Sequence, residues 1–273
     1  MSASPYNFDA PGGDVVFRAP LQPGSDEFKA FHAHKAILSI ASSVFEDTFS
    51  IPQPPTGDAA PHIIQIVESA EVFDTFLRLI YPIEPPVINS LQLVDDLFRL
   101  AEKYVANGVR AKLKQILVSP SFLRDAPILV YAIACRTSLD EETKLAIPHT
   151  FKIDLVRDMP RAQLRMMASE AYHDLLVEHS RRRDQLVDAI RVASGGGVMC
   201  GCVGKLRKEI RLEISTRPFL DRETLERCLS ALPHNHHHEC RGNCTLSPTH
   251  SHIFLSKVIR VIETGWVPEE VEY

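Results

Sequence analysis

Short apolar runs and turn-forming residues alternate at the start of the chain. Residues 14–19 (DVVFRA) are rich in β-branched and aromatic side chains. In residues 31–34 (FHAH), apolar side chains alternate with histidines at the period of two that is typical of a half-buried strand. Residues 23–25 (PGS), between the two runs, have the composition of a turn. The pattern predicts a β-hairpin.

The period changes to that of a helix directly after this hairpin. Across residues 34–50 (HKAILSIASSVFEDTFS) apolar side chains recur at helical spacing, and Ser43 and Glu46 have the spacing of a capping box. We therefore predict two short helices, the second beginning at Ser43. Several prolines among residues 52–57 disfavour regular structure, and residues 62–67 (HIIQIV) predict a third strand.

Three amphipathic helices are predicted after the third strand. Residues 69–81 form one helical pattern that begins at a capping serine and stops at a proline, and residues 90–104 form a second. Asn107 and Gly108 are expected to break the pattern before a third helix, whose apolar positions lie within residues 113–117. The predicted order is two strands, two helices, one strand and three helices.

Strand patterns nearly vanish beyond Ser119. Pro127 suits the first turn of a helix, Pro148 is expected to end the next one, and a long amphipathic pattern begins at Ser169. The middle region is therefore predicted to be all-helical.

Three glycines at residues 195–197 predict a linker after the long helical pattern. Two shorter amphipathic patterns follow it, at residues 206–214 and 254–262. The end of the chain is therefore predicted to contain two helices.

Composition and charge narrow the class of protein. The chain has 273 residues, of which 45% are hydrophobic and 24% charged, as in ordinary soluble globular proteins. Such a length suits one large or two modest domains. The net charge of -5 lacks the basic excess that phosphate neutralisation on DNA or RNA requires. Nucleic acid is therefore not an expected partner.

No secretory or membrane-spanning pattern is found in the sequence. The first residues have neither a basic start nor an apolar run, and no stretch of about 18 apolar residues occurs. Six cysteines without a secretory leader indicate a reducing compartment, in which thiols stay free or bind metal. We expect no membrane partner and a location in the cytoplasm, the nucleus or both.

Several segments, in the right order, resemble BTB/POZ domains. Residues 31–49 (FHAHKAILSIASSVFEDTF) resemble the family signature, in which a strand is followed by His-Lys, Ile-Leu, a serine shortly before Phe and an apolar end. Residues 14–17 (DVVF) match the opening strand. Residues 62–82 resemble the strand and the Phe-x-x-Phe-Leu-x-x-Ile-Tyr helix that follow. Residues 97–113 resemble the closing Ala-x-Lys-Tyr helix.

The resemblance implies an α+β fold, with residues 10–118 as a BTB/POZ-like helical cluster flanked by a small β-sheet. Residues 119–193 resemble the helical extension of many fungal BTB domain-containing proteins, in the stretches YAIACR and YHDLLVEH. Residues 198–273 make a Cys/His-rich helical C-terminal segment. The core of the first part is expected to include Phe31, His34, Ile37, Leu38, Phe45, Phe73, Phe76, Leu77 and Tyr104.

The family resemblance also implies a class of function. BTB/POZ domains self-associate or dock other proteins, cullin scaffolds of ubiquitin ligases among them. The chain is therefore interpreted as a protein-protein interaction module and not an enzyme, acting as a substrate adaptor for a cullin-type ubiquitin ligase. The alternative is a nuclear transcriptional co-regulator that recruits partners through the same domain. His34 is interpreted as a residue that orders its turn by hydrogen-bonding the backbone.

Two departures from the family pattern leave the partners open. Only about 13 residues precede the first strand, so the N-terminal helix that many homodimeric members exchange is not expected. Homodimer and monomer both remain possible outcomes. No Kelch-type repeat, MATH-like sandwich or zinc finger with paired C-x-x-C and H-x-x-x-H follows, so the cargo is not indicated.

The C-terminal segment contains the candidate metal ligands. Cys200, Cys202, Cys240 and Cys244 could form a four-ligand structural site, because thiolates are ligands that Zn²⁺ prefers. Six of the twelve histidines lie within residues 234–252. However, C-x-C and C-x-x-x-C are less specific than paired C-x-x-C knuckles, and a histidine-rich tract is often a solvated loop. Structural zinc, a solvated loop and, as a third hypothesis, a metal hydrolase site stay open.

Overall fold

The computed structural model describes residues 7–51, 62–193 and 201–230, together with Ser256 and Ile259. The chain divides into two compact units, Met1–Thr143 and Lys144–Tyr273. The three predicted segments, residues 10–118, 119–193 and 198–273, stay predictions. The predicted glycine linker at residues 195–197 lies outside the described residues.

The first unit begins with the predicted order of strands and helices. It contains a three-stranded sheet and a cluster of helices, which confirms the predicted α+β fold. Its strands are β1 (Val15–Pro20), β2 (Phe28–Ala33) and β3 (His62–Gln65). Its helices are α1 (Lys35–Ala41), α2 (Ser43–Ser50), α3 (Ala70–Ile80), α4 (Leu91–Lys103), α5 (Asn107–Leu117), α6 (Pro120–Asp125) and α7 (Pro127–Arg136), followed by α8 (Asp140–Thr150).

The sheet has the order β2-β1-β3, with β1 antiparallel to β2 and parallel to β3. As the central strand, β1 is buried at every residue except Arg18. A tight turn joins β1 and β2, in which the Ser25 N–H donates to the Gln22 carbonyl at 3.0 Å and Gly24 has φ 81°. A positive φ at this position favours glycine, so the predicted hairpin and its turn are confirmed.

The segment before β1 covers the outer edge of β2. The Phe8 carbonyl accepts a hydrogen bond from the His32 N–H at 2.7 Å, and the Phe8 ring is buried edge-on against Tyr81 at 4.9 Å. Unpaired strand edges invite pairing with other chains, and this contact occupies part of that edge.

Gly13 and Asp14, directly before β1, contact the junction between β2 and α1. A Cβ at Gly13 would lie 2.1 Å from the Ala33 carbonyl oxygen, so no larger residue fits without moving the backbone. Asp14 Oδ1 accepts from the Lys35 N–H at 2.7 Å. Because His34 makes no side-chain cap bond, this aspartate satisfies a free N–H at the start of α1.

The N-cap of helix α2 lies one residue earlier than predicted. Ser42, and not Ser43, is the N-cap, and its hydroxyl accepts from the Phe45 N–H at 3.1 Å. The predicted pairing of Ser43 with Glu46 is therefore wrong, because Ser43 is already the first helical residue. The predicted division into two short helices is confirmed.

Aromatic rings form the centre of the first unit. Phe17 of β1 lies 5.6 Å from Phe45 and 5.1 Å from Phe73, and Tyr104 stacks on Phe45 at 4.5 Å. Such pairs stabilise a core by about 0.5–1.5 kcal/mol beyond their burial. Seven of the nine predicted core residues are buried: Phe31, Leu38, Phe45, Phe73, Phe76, Leu77 and Tyr104.

His34 and Ile37 are only half-buried, so their placement in the core was wrong. His34 lies where β2 passes into α1, and its ring faces a tyrosine. Its backbone N–H donates to the Tyr81 hydroxyl at 2.8 Å, and its Nδ1 lies 3.2 Å from the same oxygen. The residue therefore orders the turn through a side-chain hydroxyl.

Asp95 of α4 is a buried carboxylate that arginines hold from two helices. Arg136 of α7 donates to Oδ1 from Nη2 at 2.6 Å and from Nε at 3.0 Å. Arg99 of α4 donates to Oδ2 at 3.1 and 3.2 Å. With 1% of its side chain exposed, Asp95 depends on these four hydrogen bonds to compensate for lost hydration.

Helices, joined by turns, are the regular structure of the second unit in its described residues, which confirms the predicted all-helical character of the middle region. Pro148 lies inside α8, which continues to Thr150, so the predicted end of that helix was wrong. The further helices are α9 (Arg161–Met166), α10 (Ser169–Ala193), α11 (Gly201–Glu213) and α12 (Arg222–Ser230). In the described part of the chain, none of the helices is both long and apolar enough to span a bilayer.

The pattern at residues 206–214 corresponds to α11, whereas α12 was not predicted. The pattern at residues 254–262 lies mostly outside the described residues, although Ser256 and Ile259 are helical.

His179 of α10 is a buried histidine in the second unit. The Thr150 hydroxyl donates its proton to the Ile147 carbonyl at 2.6 Å, so it accepts from His179 Nε2–H at 2.9 Å. The Phe151 ring lies edge-on to the imidazole at 5.2 Å. Burial, together with the positive charge of Arg183, lowers the pKa of His179 to about 4.

We predict that Arg136→Met destabilises the protein by about 3 kcal/mol, because it leaves Oδ1 of a buried carboxylate without its hydrogen-bond donors. Chemical denaturation measures the loss. The matched control is Arg124→Met, which removes an arginine whose partner Asp125 is 63% exposed. That variant should lose less than about 1 kcal/mol. Equal losses in the two variants would contradict the role given to Asp95.

We predict that His179 makes stability fall as the pH is lowered. Below the unfolded-state pKa of about 6.5 the unfolded chain gains a proton that the native imidazole does not gain until about pH 4. Between about pH 7 and pH 4.5 this difference should remove roughly 2 to 3 kcal/mol. His179→Gln should flatten the stability profile over this range, whereas His173→Gln, at an exposed position of the same helix, should not.

Candidate protein-interaction surface

A cleft of about 420 Å³ opens on the surface of the first unit. Helices α1 and α2 form one wall, and the turn between α4 and α5 forms the other. We call it the α1–α5 cleft and define it by Ser39, Ile40, Glu46, Val105 and Lys112. Its lining is partly apolar. It includes the C-terminal end of α1, the end opposite to His34.

Ile40 is the most exposed large apolar residue along α1 and α2. Leu38 of the same helix is fully buried, whereas 89% of Ile40 is exposed. The helical period explains the difference, because residues two apart lie on nearly opposite faces of a helix. An isolated exposed isoleucine is ordinary, but this one lies beside a second exposed apolar residue in a cleft.

That second residue is Val105, which has the backbone conformation usually reserved for glycine. Its φ is 48°, and a β-branched residue in the left-handed region is strained. The Ala106 N–H donates to the Ala101 carbonyl at 2.8 Å and the Val105 N–H to the Glu102 carbonyl at 3.2 Å. These two bonds form a Schellman motif that ends α4 with Val105 at the left-handed position.

The core fixes the turn that carries Val105. The Tyr104 ring stacks on Phe45, and the Tyr104 carbonyl accepts a hydrogen bond from the Ser42 hydroxyl. Ser42 thus connects the start of α2 to the end of α4. The two walls of the cleft are therefore held to each other by a buried serine and a stacked ring pair.

Charged groups near the cleft have fixed partners. Lys112 Nζ donates to the Leu79 carbonyl at 2.6 Å, and Lys103 Nζ donates to Glu68 Oε1 at 2.7 Å. Partial burial lowers the pKa of Lys103, but its interactions with Glu68 and Tyr104 together outweigh burial, so the pKa is raised. Burial raises the pKa of Tyr104 above its ordinary value.

This arrangement agrees with the comparison of the sequence with protein families. Residues 25–121 match the BTB/POZ domain. The chain contains a BTB/POZ domain. No curated protein matches the chain. The matched residues include α1 to α5, and therefore every residue that defines the α1–α5 cleft.

The BTB/POZ domain indicates a protein-protein interaction module, since domains of this family bind proteins and are not typically catalytic. The predicted interaction function is confirmed at that level. The surface of the domain, and not a buried pocket, is therefore where its function is expected.

The candidate zinc ligands lie outside what the structure describes. Cys200, Cys240 and Cys244 fall in undescribed residues, and of Cys202 only the backbone, within α11, is described. Structural zinc at these four cysteines stays a prediction. Within residues 7–51, 62–193 and 201–230, no three His, Cys, Asp or Glu side chains are grouped to hold a metal ion.

Sequence inspection missed Ile40 and Val105, the two exposed apolar residues of the cleft. Ile40 could have been found, because it lies off the stripe formed by Ile37, Leu38 and Ala41. Val105 could not, because valine is among the residues least expected in a left-handed conformation. The break between helices was predicted at the neighbouring Asn107 and Gly108, yet both residues lie in the first turn of α5.

We predict that Val105→Gly stabilises the BTB/POZ domain by about 1 kcal/mol, because glycine adopts a positive φ without the steric cost of a β-carbon. Thermal or chemical denaturation measures the gain. Val105→Ala is the matched control, since alanine removes the same exposed methyl groups but keeps a β-carbon at φ 48°. A gain of equal size in the alanine variant would show that backbone strain is not its cause.

Proposed function

We propose that this protein is a substrate adaptor that docks on a cullin-type scaffold through its BTB/POZ domain. Support comes from the match at residues 25–121, since the family resemblance implies such partners. The α1–α5 cleft, with Ile40 at its edge, is the docking surface in this proposal. In this proposal the helices that follow the BTB/POZ domain contact the cargo protein.

The exposure of Ile40 is the observation that carries the choice of surface. Burying a fully exposed isoleucine side chain in a partner contributes about 1.5–3 kcal/mol. A cleft of about 420 Å³ next to it can receive apolar side chains from one face of a partner helix. Well-packed anchors of this kind contribute most of the binding energy in many interfaces.

We predict that Ile40→Glu weakens binding of the full chain to the N-terminal region of a cullin scaffold by at least about tenfold, equivalent to about 1.4 kcal/mol. The new carboxylate would have to be desolvated without a partner on binding. Surface plasmon resonance with the immobilised scaffold measures the dissociation constant. The fold should be unaffected, because substitutions at exposed positions usually change stability by less than about 0.5 kcal/mol.

The control is Val87→Glu, at a residue of the same unit that is 85% exposed and does not line the cleft. It should bind like the unchanged chain. Equal loss in both variants, or no binding of the unchanged chain to any cullin tested, would contradict the proposal. Light scattering provides a further check. If Ile40→Glu instead converts a dimer to a monomer, the cleft is a self-association surface.

A further inference from the structure

A turn at residues 154–158 of the second unit exposes the side chains of Val156 and Arg157 to solvent. Asp154 is buried, and its Oδ1 accepts from the N–H groups of Val156 and Arg157 at 3.0 and 3.1 Å. This local pattern reverses the chain directly after a buried residue. As a result Val156 is 82% exposed and the Arg157 side chain 79%.

The turn is fixed in place on both sides. Leu155 is buried, and its carbonyl accepts from the Tyr172 hydroxyl at 3.4 Å. Asp158 accepts from Arg217 Nη2 at 2.6 Å, so its charge is already paired, and Arg157 makes only a long ion pair, with its Nε 3.9 Å from Asp154 Oδ2. The exposed side chains therefore project from an ordered support.

Helix α9 adds two more arginines beside this turn. Arg161 and Arg165 are exposed and lie four residues apart, on the same face of the helix. Within the described residues neither makes an ion pair or a side-chain hydrogen bond. Like charges at this spacing repel each other, and a cation at the first helical residue is disfavoured by the helix dipole. The local structure does not explain this charge.

Leu164 lies between the two arginines and is 42% exposed, while the next buried residue, Met167, anchors the end of α9. Arg161, Leu164 and Arg165 share one face of α9 by their spacing, and the exposed Val156 and Arg157 lie in the turn a few residues before that helix. We call these residues the arginine face: Val156, Arg157, Arg161, Leu164 and Arg165. Its chemistry suits a peptide that is both acidic and apolar.

The chain itself contains such a peptide at residues 263–273 (ETGWVPEEVEY), which we call the acidic tail. It has four glutamates and no lysine or arginine, and it includes Trp266, two valines and a tyrosine. We propose that the acidic tail binds the arginine face within the same chain and occupies it until a competing acidic partner displaces the tail. Glutamates pair with the arginines, while the aromatic and aliphatic side chains cover Val156 and Leu164.

The energetics fit a reversible contact. Each exposed ion pair contributes little to binding, so a few such pairs and a few apolar contacts give only weak binding between separate molecules. A tethered segment has an effective concentration in the millimolar range, which makes weak binding sufficient. The contact should also weaken with salt, because the Debye length falls from about 8 Å at 0.15 M to about 3 Å at 1 M.

Trp266 allows a direct test, since it is the single tryptophan of the chain. Acrylamide quenching of its fluorescence in the full chain should be at least about threefold weaker than in a free peptide of residues 263–273. Adding an excess of that peptide with Trp266→Phe should displace the tail and raise quenching to the value of the free peptide.

The double variant Arg161→Glu and Arg165→Glu should expose Trp266 without competitor, and should raise the competitor concentration needed at half-effect by about tenfold, or remove the effect. The matched control is Lys208→Glu with Arg211→Glu, which makes the same change of net charge at exposed positions of α11. It should behave like the unchanged chain. Combining the α9 variant with Glu269→Arg and Glu270→Arg should protect Trp266 again.

Three outcomes would overturn the proposal. One is equal quenching of Trp266 in the full chain, the α9 variant and the free peptide. Another is an equal effect of the α9 and α11 variants, which would mean that only net charge matters. The third is binding of the full chain to vesicles containing anionic lipid that depends on Arg161 and Arg165 but not on the competitor peptide, which would make a membrane surface the occupant.

Discussion

The stacked pair of Phe45 and Tyr104 is the contact on which the surface of the BTB/POZ domain depends. It joins α2 to the end of α4, and the Ser42 hydroxyl reaches the Tyr104 carbonyl beside it. The next residue along the chain is Val105, which must then turn back over the end of α4. The position of an exposed apolar residue in the α1–α5 cleft is thus a consequence of how the core packs.

The helices and strands of the BTB/POZ domain were predictable because the apolar residues of each element follow a single period, that of a helix or that of a strand. The alternation at Phe31 and Ala33 and the serine before each long helix are local features, and local physics decides them. One error concerns His34, whose backbone N–H and ring both meet the Tyr81 hydroxyl, a partner 47 residues away that no local pattern shows. Another concerns Pro148, which lies in the last turn of α8 and so removes only one backbone hydrogen bond near the helix end.

The functional surfaces were much less predictable than the fold. A cleft joins residues that are distant in sequence, and no local pattern shows that Ile40 and Val105 will line the same cleft. The arginines of α9 show the opposite limit. Their spacing is visible in the sequence, but only the structure shows that both are exposed and that Asp158 is already bound to Arg217. Such contacts show which charged side chains already have a partner in the protein and which do not.

The arginine pair around Asp95 has a consequence for how this protein can change in evolution. The family match ends at residue 121, yet half of the hydrogen bonds to this buried carboxylate come from Arg136. A recombination event that joined the matched region to a different C-terminal part would leave Oδ1 of this buried carboxylate without the two donors of Arg136, while Arg99 still holds Oδ2. The exchangeable module therefore ends after α7, and any lineage that loses Arg136 should replace Asp95 with a neutral residue as well.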